Sequence, residues 1–240
     1  MSDPSSTDLN NEAFSLILQG EYNEAAILLK RALALVKVEV GVALSSPDSC
    51  ESVEHEVTSC EETMEEQQML ARVNLPASPV HRSTFLDQKG AEATAFMYTH
   101  PIYIDGSSLS DILQKTFAIT FNLALAVHLE SIEQTFDEHL VAFRHNQTVA
   151  KQLYELALRL EHVQVFGCHL FAAIMNNLGI LSRSSGNSDE IETRMYDQHL
   201  LSSLCFLVDT SNAFTGTRAF RGLMANVSHL ILKCAAAGAA

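Results

Sequence analysis

Residues 170–181 read L-F-A-A-I-M-N-N-L-G-I-L, and no other stretch limits the possible folds as tightly. The run is apolar on nearly every side, interrupted only by Asn176 and Asn177, with small residues at Ala172, Ala173 and Gly179. A helix that is apolar all round needs neighbours on several faces. Small residues let those neighbours approach closely. The chain is therefore expected to be all-α, with this helix in its middle.

The flanking periodicity supplies the neighbours. Leu9, Ala13, Leu16 and Ile17 line a first helix that Asp8 or Thr7 is placed to cap. Gly20-Glu21-Tyr22 then turns the chain into a second helix, faced by Ala25, Leu28, Leu29, Ala32, Leu33 and Val36. These form an N-terminal hairpin over residues 1–41. Residues 42–94 read as an acidic insertion: positions 45–68 hold eight acidic residues and no Lys or Arg. With so few large apolar groups to offset ordering entropy, most of it is expected to be disordered.

Residues 95–107 form a different kind of element. Phe96 to Ile104, F-M-Y-T-H-P-I-Y-I, is apolar and aromatic, and Pro101 forbids a continuous helix. With no partner strands evident, it is expected to run extended against helices. A helical core over 108–235 follows. Ser108 with Asp111 signals its first cap, and a stripe runs through Phe117, Phe121, Leu125, Leu129, Ile132 and Phe136. A helix over 149–163 points Leu153, Leu156, Ala157 and Leu160 inward, and the central helix runs from about 164 to 182. After a turn at 184–188, Asn187 is placed to cap the next helix, and a loop over 209–216 leads to a last one. Residues 236–240 are expected to form a flexible tail.

Bulk charge excludes some partners. The net charge of -14 disfavours nucleic-acid backbones and anionic membranes, which demand clustered Lys and Arg. No apolar run reaches the roughly 18 uninterrupted residues of a membrane span. Cys50, Cys60, Cys168, Cys205 and Cys234 form an odd set without a C-x-x-C pair. They read as reduced and structural, and the acidic N-terminus resembles neither signal nor transit peptide. A cytoplasmic or nuclear location is expected, with the sequons at Asn146 and Asn226 unused.

Ala13, Gly20, Tyr22, Ala25, Leu29 and Ala32 together resemble the tetratricopeptide repeat: a small residue, a Gly-acid-Tyr turn, then Ala, a large residue and Ala. Asn122-Leu123-Ala124 with Ala150, Tyr154 and Ala157 resembles a second copy, lengthened around residues 134–146. Asn177-Leu178-Gly179 resembles the start of a third, and the helix from Arg218 resembles the capping helix of such arrays. The order of these motifs is also similar to small tetratricopeptide-like proteins of diatoms. The resemblance implies degenerate helical hairpins stacked as an α-α superhelix, and leaves the activity open.

Tetratricopeptide arrays typically bind an extended peptide along the first helices of their pairs. One version clamps a C-terminal carboxylate with Lys, Arg and Asn. Of its positions only Asn122 fits; the others fall at Asn10, Phe14, Ala173 and Asn177, none basic, so that clamp is excluded. Asn122, Asn176 and Asn177 remain candidate peptide contacts, because a primary amide both donates and accepts. Alternatively they satisfy buried carbonyls at helix crossings. Residues 96–104 are expected either to occupy the groove in cis as a pseudo-ligand or to plug the gap between the first hairpin and the later helices. No nucleophile elbow, phosphate loop or metal-ligand spacing is evident among the residues, so no catalytic residue, cofactor or metal is assigned. The chain reads as a non-enzymatic protein-interaction scaffold with a protein or peptide partner, or as a closed structural bundle that forms homo-oligomers.

Overall fold

The computed structural model describes residues 3–45, 95–105, 112–133, 140–160, 167–184, 190–210 and 212–238. All regular secondary structure among them is helical: α1 (Ser6–Gln19), α2 (Tyr22–Ser45), α3 (Ile112–Glu133), α4 (Leu140–Leu160), α5 (Gly167–Ser184), α6 (Glu190–Thr210), the one-turn α7 (Asn212–Thr215) and α8 (Arg218–Gly238). The all-α class follows directly. The acidic insertion from residue 46 onward, the Ser108/Asp111 cap, Phe136 and the Asn187 cap lie outside the described residues.

The first hairpin shows how local chemistry sets the architecture. Ser5, not Thr7 or Asp8, caps α1: its hydroxyl accepts from the Asp8 amide, and Asp8 reaches back to the Ser5 backbone in a capping box. At the other end Gly20 has φ 90°, where a side chain would be strained. The Glu21 amide then reaches back 2.9 Å to the Leu16 carbonyl, closing the helix as a Schellman-type turn. Across the crossing, Ala13, Ala25, Leu29 and Ala32 have no solvent exposure, while Tyr22 is half-buried. α2 continues past the expected boundary at residue 41, because a single glycine within a helix is a modest cost.

Neighbouring helices pack in chain order. α1 lies on α2, α2 on α3 and α3 on α4; α5 lies on α6, and α8 covers α6 and α5. Ala124, Ala150, Tyr154, Ala157 and Leu178 are fully buried, and Leu123 and Gly179 are buried beside them. Polar links tie later helices together: Lys151 to Glu192 at 2.6 Å and Arg183 to Asp197 at 2.8 Å. Three expectations are corrected. Leu156 is 43% exposed rather than inward, since the face of α4 that meets its neighbours is set by Ala150, Tyr154 and Ala157. The loop over 209–216 contains α7, and α8 runs through the alanines to Gly238, which are strong helix formers.

α3, like α5, is enclosed along most of its length. By length and mean composition it could cross a membrane, yet 72% of its most apolar window is buried by the rest of the chain. His128 sits within it, packed edge-on to Tyr154 with ring centroids 6.0 Å apart. Burial drives the His128 pKa down from 6.5 to about 3, so the ring is held neutral. The unfolded chain binds a proton that the folded chain refuses. The stability linked to this residue is therefore fully present above about pH 6.5 and is lost as pH falls towards about 3. Wild type should lose stability relative to His128→Leu across this window in urea titrations. A difference that does not vary with pH would contradict the neutral buried ring.

Candidate functional site

Residues 95–105 have no helical or sheet pairing of their own. An extended backbone in that state carries a row of unpaired N–H and C=O groups, and burying them without partners is costly. Met97, Tyr98 and Ile104 are nonetheless 5% exposed or less. The partners come from asparagines on four helices.

Each of four asparagines grips both backbone groups of one residue. Asn226 on α8 accepts from the Phe96 amide at 2.9 Å and donates to the Phe96 carbonyl at 2.6 Å. Asn177 on α5 does the same for Tyr98, both at 3.0 Å. Asn122 on α3 grips Ile102, both at 2.7 Å, and Asn11 on α1 grips Ile104 at 2.9 and 2.8 Å. The gripped residues share one parity because, in an extended chain, the N–H and C=O of one residue point to the same edge and alternate residues repeat the direction. The asparagines thus do the work of a neighbouring strand. The segment crosses α8, α5, α3 and α1 in that order, opposite to the order of the helices in the chain.

The six amides fall into two matching clamps. In the first, Asn11 holds Ile104 and Asn122 holds Ile102. Asn10 joins them, accepting from Asn122 at 3.0 Å and donating to the Ile102 carbonyl at 3.2 Å. In the second, Asn177 holds Tyr98 and Asn226 holds Phe96. Asn176 joins these, accepting from Asn226 at 2.5 Å and donating to the Phe96 carbonyl at 2.9 Å. Each clamp is an Asn-Asn doublet on one helix and a single Asn on a second helix, holding residues two apart. His100 and Pro101 lie between the clamps.

Side chains anchor the same segment. Tyr98 stands edge-on to Phe121, centroids 6.4 Å apart, and Phe121 in turn meets Tyr154 at 6.0 Å. Burial raises the Tyr98 phenol pKa to about 12, so it remains a neutral, hydrophobic ring. The Tyr154 hydroxyl receives a hydrogen bond from Asn177 at 3.0 Å, which fixes that amide's orientation from below. Tyr103 points the other way, 59% exposed, with its ring edge-on to Phe14 at 5.6 Å.

All three candidate asparagines, Asn122, Asn176 and Asn177, lie on this segment, and their partners are its backbone groups rather than carbonyls at helix crossings. Of the carboxylate-clamp positions, Asn10, Asn122 and Asn177 are recruited to the segment, as amide rather than cationic contacts. Two grips were not anticipated, Asn11 and Asn226. The signal for them is present: Asn11-Glu12-Ala13 and Asn226-Val227-Ser228 repeat the Asn-x-small pattern of Asn122-Leu123-Ala124 and Asn177-Leu178-Gly179. The Asn10-Asn11 doublet likewise matches Asn176-Asn177. Comparison of the chain with protein-family models, with curated proteins and with solved structures gives no match in any of the three.

Asn177→Ala would leave the buried amide and carbonyl of Tyr98 without partners. The expected loss of stability is ~1–3 kcal/mol, measured as a lower urea midpoint with an unchanged slope. An unaltered midpoint would contradict a structural grip at this residue.

Proposed function

We propose that the chain is a non-enzymatic protein-interaction module, built as a tetratricopeptide-like superhelix, whose peptide groove is closed in cis by residues 95–105. The observation that carries this reading is the fourfold bidentate grip on alternate backbone residues by asparagines from α1, α3, α5 and α8. These are the first helices of three successive pairs and the capping helix, the elements that line the concave face in the repeat resembled by the sequence. A primary amide that pairs with main chain recognises any extended peptide, whatever its side chains. The segment is then a pseudo-ligand. An incoming peptide competes with it, and its apparent affinity is reduced by the fraction of time the groove stands open. A protein or peptide partner in the cytoplasm or nucleus completes the reading, with no cofactor.

A second reading is favoured by one observation. Tyr98 and Ile104 are buried within the range of the core residues, as expected if the segment were a permanent part of a closed bundle, alone or in a homo-oligomer. Fluorescence anisotropy distinguishes the two. A labelled synthetic peptide spanning residues 95–105 is titrated into wild type and into the full chain carrying Tyr98→Ser and Ile104→Ser, with helix content followed by circular dichroism. On the interaction reading the weakened chain stays helical and binds the peptide about tenfold or more tighter than wild type does. Adding Asn122→Ala and Asn177→Ala abolishes that binding. Loss of helix content in the weakened chain, or a helical chain that ignores the peptide, would establish the segment as permanent filling.

A further inference from the structure

Gly222 lies in α8, one turn before Asn226, at a position where nothing in the helix demands glycine. Its φ is not among the positive values, and glycine within a helix is less favourable than alanine by roughly 0.5–1 kcal/mol. The space above it supplies the reason. A Cβ added there would overlap the Phe96 ring, with the Cε2 atom only 2.6 Å away. The ring therefore lies directly on bare helix backbone. Residues four apart share a helical face, so one turn of α8 holds both parts of the same residue: Gly222 receives the ring, and Asn226 grips the amide and carbonyl.

The neighbouring position is also built for a ring. Tyr98, two residues on, is buried edge-on to Phe121 and gripped by Asn177. The other clamp, at Asn122 and Asn11, holds the aliphatic residues Ile102 and Ile104. The two clamps share their amide geometry and differ in what they accept. Phe96 is only half-buried whereas Tyr98 is nearly sealed, so the Gly222 end is the more open end of the segment.

Resting on the reading that the asparagines line a peptide groove, we propose that Gly222 forms a ring-selective subsite there. The partner it fits is an extended peptide with aromatic residues two positions apart, seated with its N-terminal ring on α8 in place of Phe96. Four residues on from the second ring, a pair of aliphatic residues two apart completes the match. Amide grips supply sequence-independent hold on the backbone. The shelf supplies the choice of side chain.

The test uses the full chain with the cis segment weakened by Tyr98→Ser and Ile104→Ser, with and without Gly222→Ala. The probes are two labelled synthetic peptides covering residues 95–105, one native and one with its Phe96 equivalent replaced by alanine. With Gly222 present, the native peptide should bind roughly ten- to hundredfold more tightly than the alanine peptide, the range expected for burying a phenyl ring. With Gly222→Ala the two should bind alike. Alanine favours helix, so this loss cannot be assigned to a melted α8. If both peptides bind equally to the Gly222 chain, the ring subsite is overturned while the groove survives. If neither binds a chain that stays helical, the groove reading itself fails and the subsite falls with it. In the otherwise wild-type chain, Gly222→Ala should also speed exchange of the Phe96 amide at least severalfold while leaving Ile104 unchanged. Equal protection of Phe96 in both chains would overturn the steric contact.

Discussion

An extended chain buried among helices has to find partners for its backbone without a neighbouring strand. That constraint governs the centre of this protein. Helices satisfy their own N–H and C=O groups internally and have none to spare along their sides. Only side chains can meet the segment, and a single side chain that accepts from N–H and donates to C=O of the same residue is a primary amide. Four asparagines, on α1, α3, α5 and α8, provide this at Ile104, Ile102, Tyr98 and Phe96. Helices far apart in the chain are thereby tied to one eleven-residue strip.

The amides are themselves held. Asn177 accepts from Tyr98 and Asn176 and donates to the Tyr98 carbonyl and the Tyr154 hydroxyl, so both ends of its amide are fully engaged. Tyr154 is in turn packed between Phe121 and His128. A polar network buried this deeply is stabilising only when every member is paired, and here the pairing extends from the segment into the core of α3 and α4. Flexibility of individual side chains offers little slack. The network depends on the helices being spaced as they are, and small residues such as Ala124, Ala150 and Ala157 set that spacing at full burial.

Much of the fold was legible because it rests on periodicity. The helical stripes, the small residues at crossings and the Gly20 turn each have local signatures, and Pro101 excluded a helix through the segment. Boundaries were less legible: α2 runs on through Gly41 and α8 through its alanines to Gly238, and the Ser5 cap required knowing which hydroxyl faced the Asp8 amide. Leu156 lies outward because the packed face of α4 depends on which neighbours it meets, information held in tertiary structure. At the site, Asn122, Asn176 and Asn177 stood out against apolar surroundings. Asn11 and Asn226 sit in more polar helices, where one more amide carries no contrast. Their role emerges only when Asn-x-small is compared across four helices. The contact between Gly222 and Phe96 joins residues far apart in sequence, and no local pattern announces it.

The central claim is that asparagine side chains substitute for a partner strand along residues 96–104. Amide hydrogen exchange followed residue by residue in the native protein reads this directly. The amides of Phe96, Tyr98, Ile102 and Ile104 should be protected well above those of Thr99 and Tyr103, giving alternation of period two interrupted at the His100-Pro101 step. Uniform protection along the segment, or uniform exchange at the rate of an unstructured chain, would contradict it.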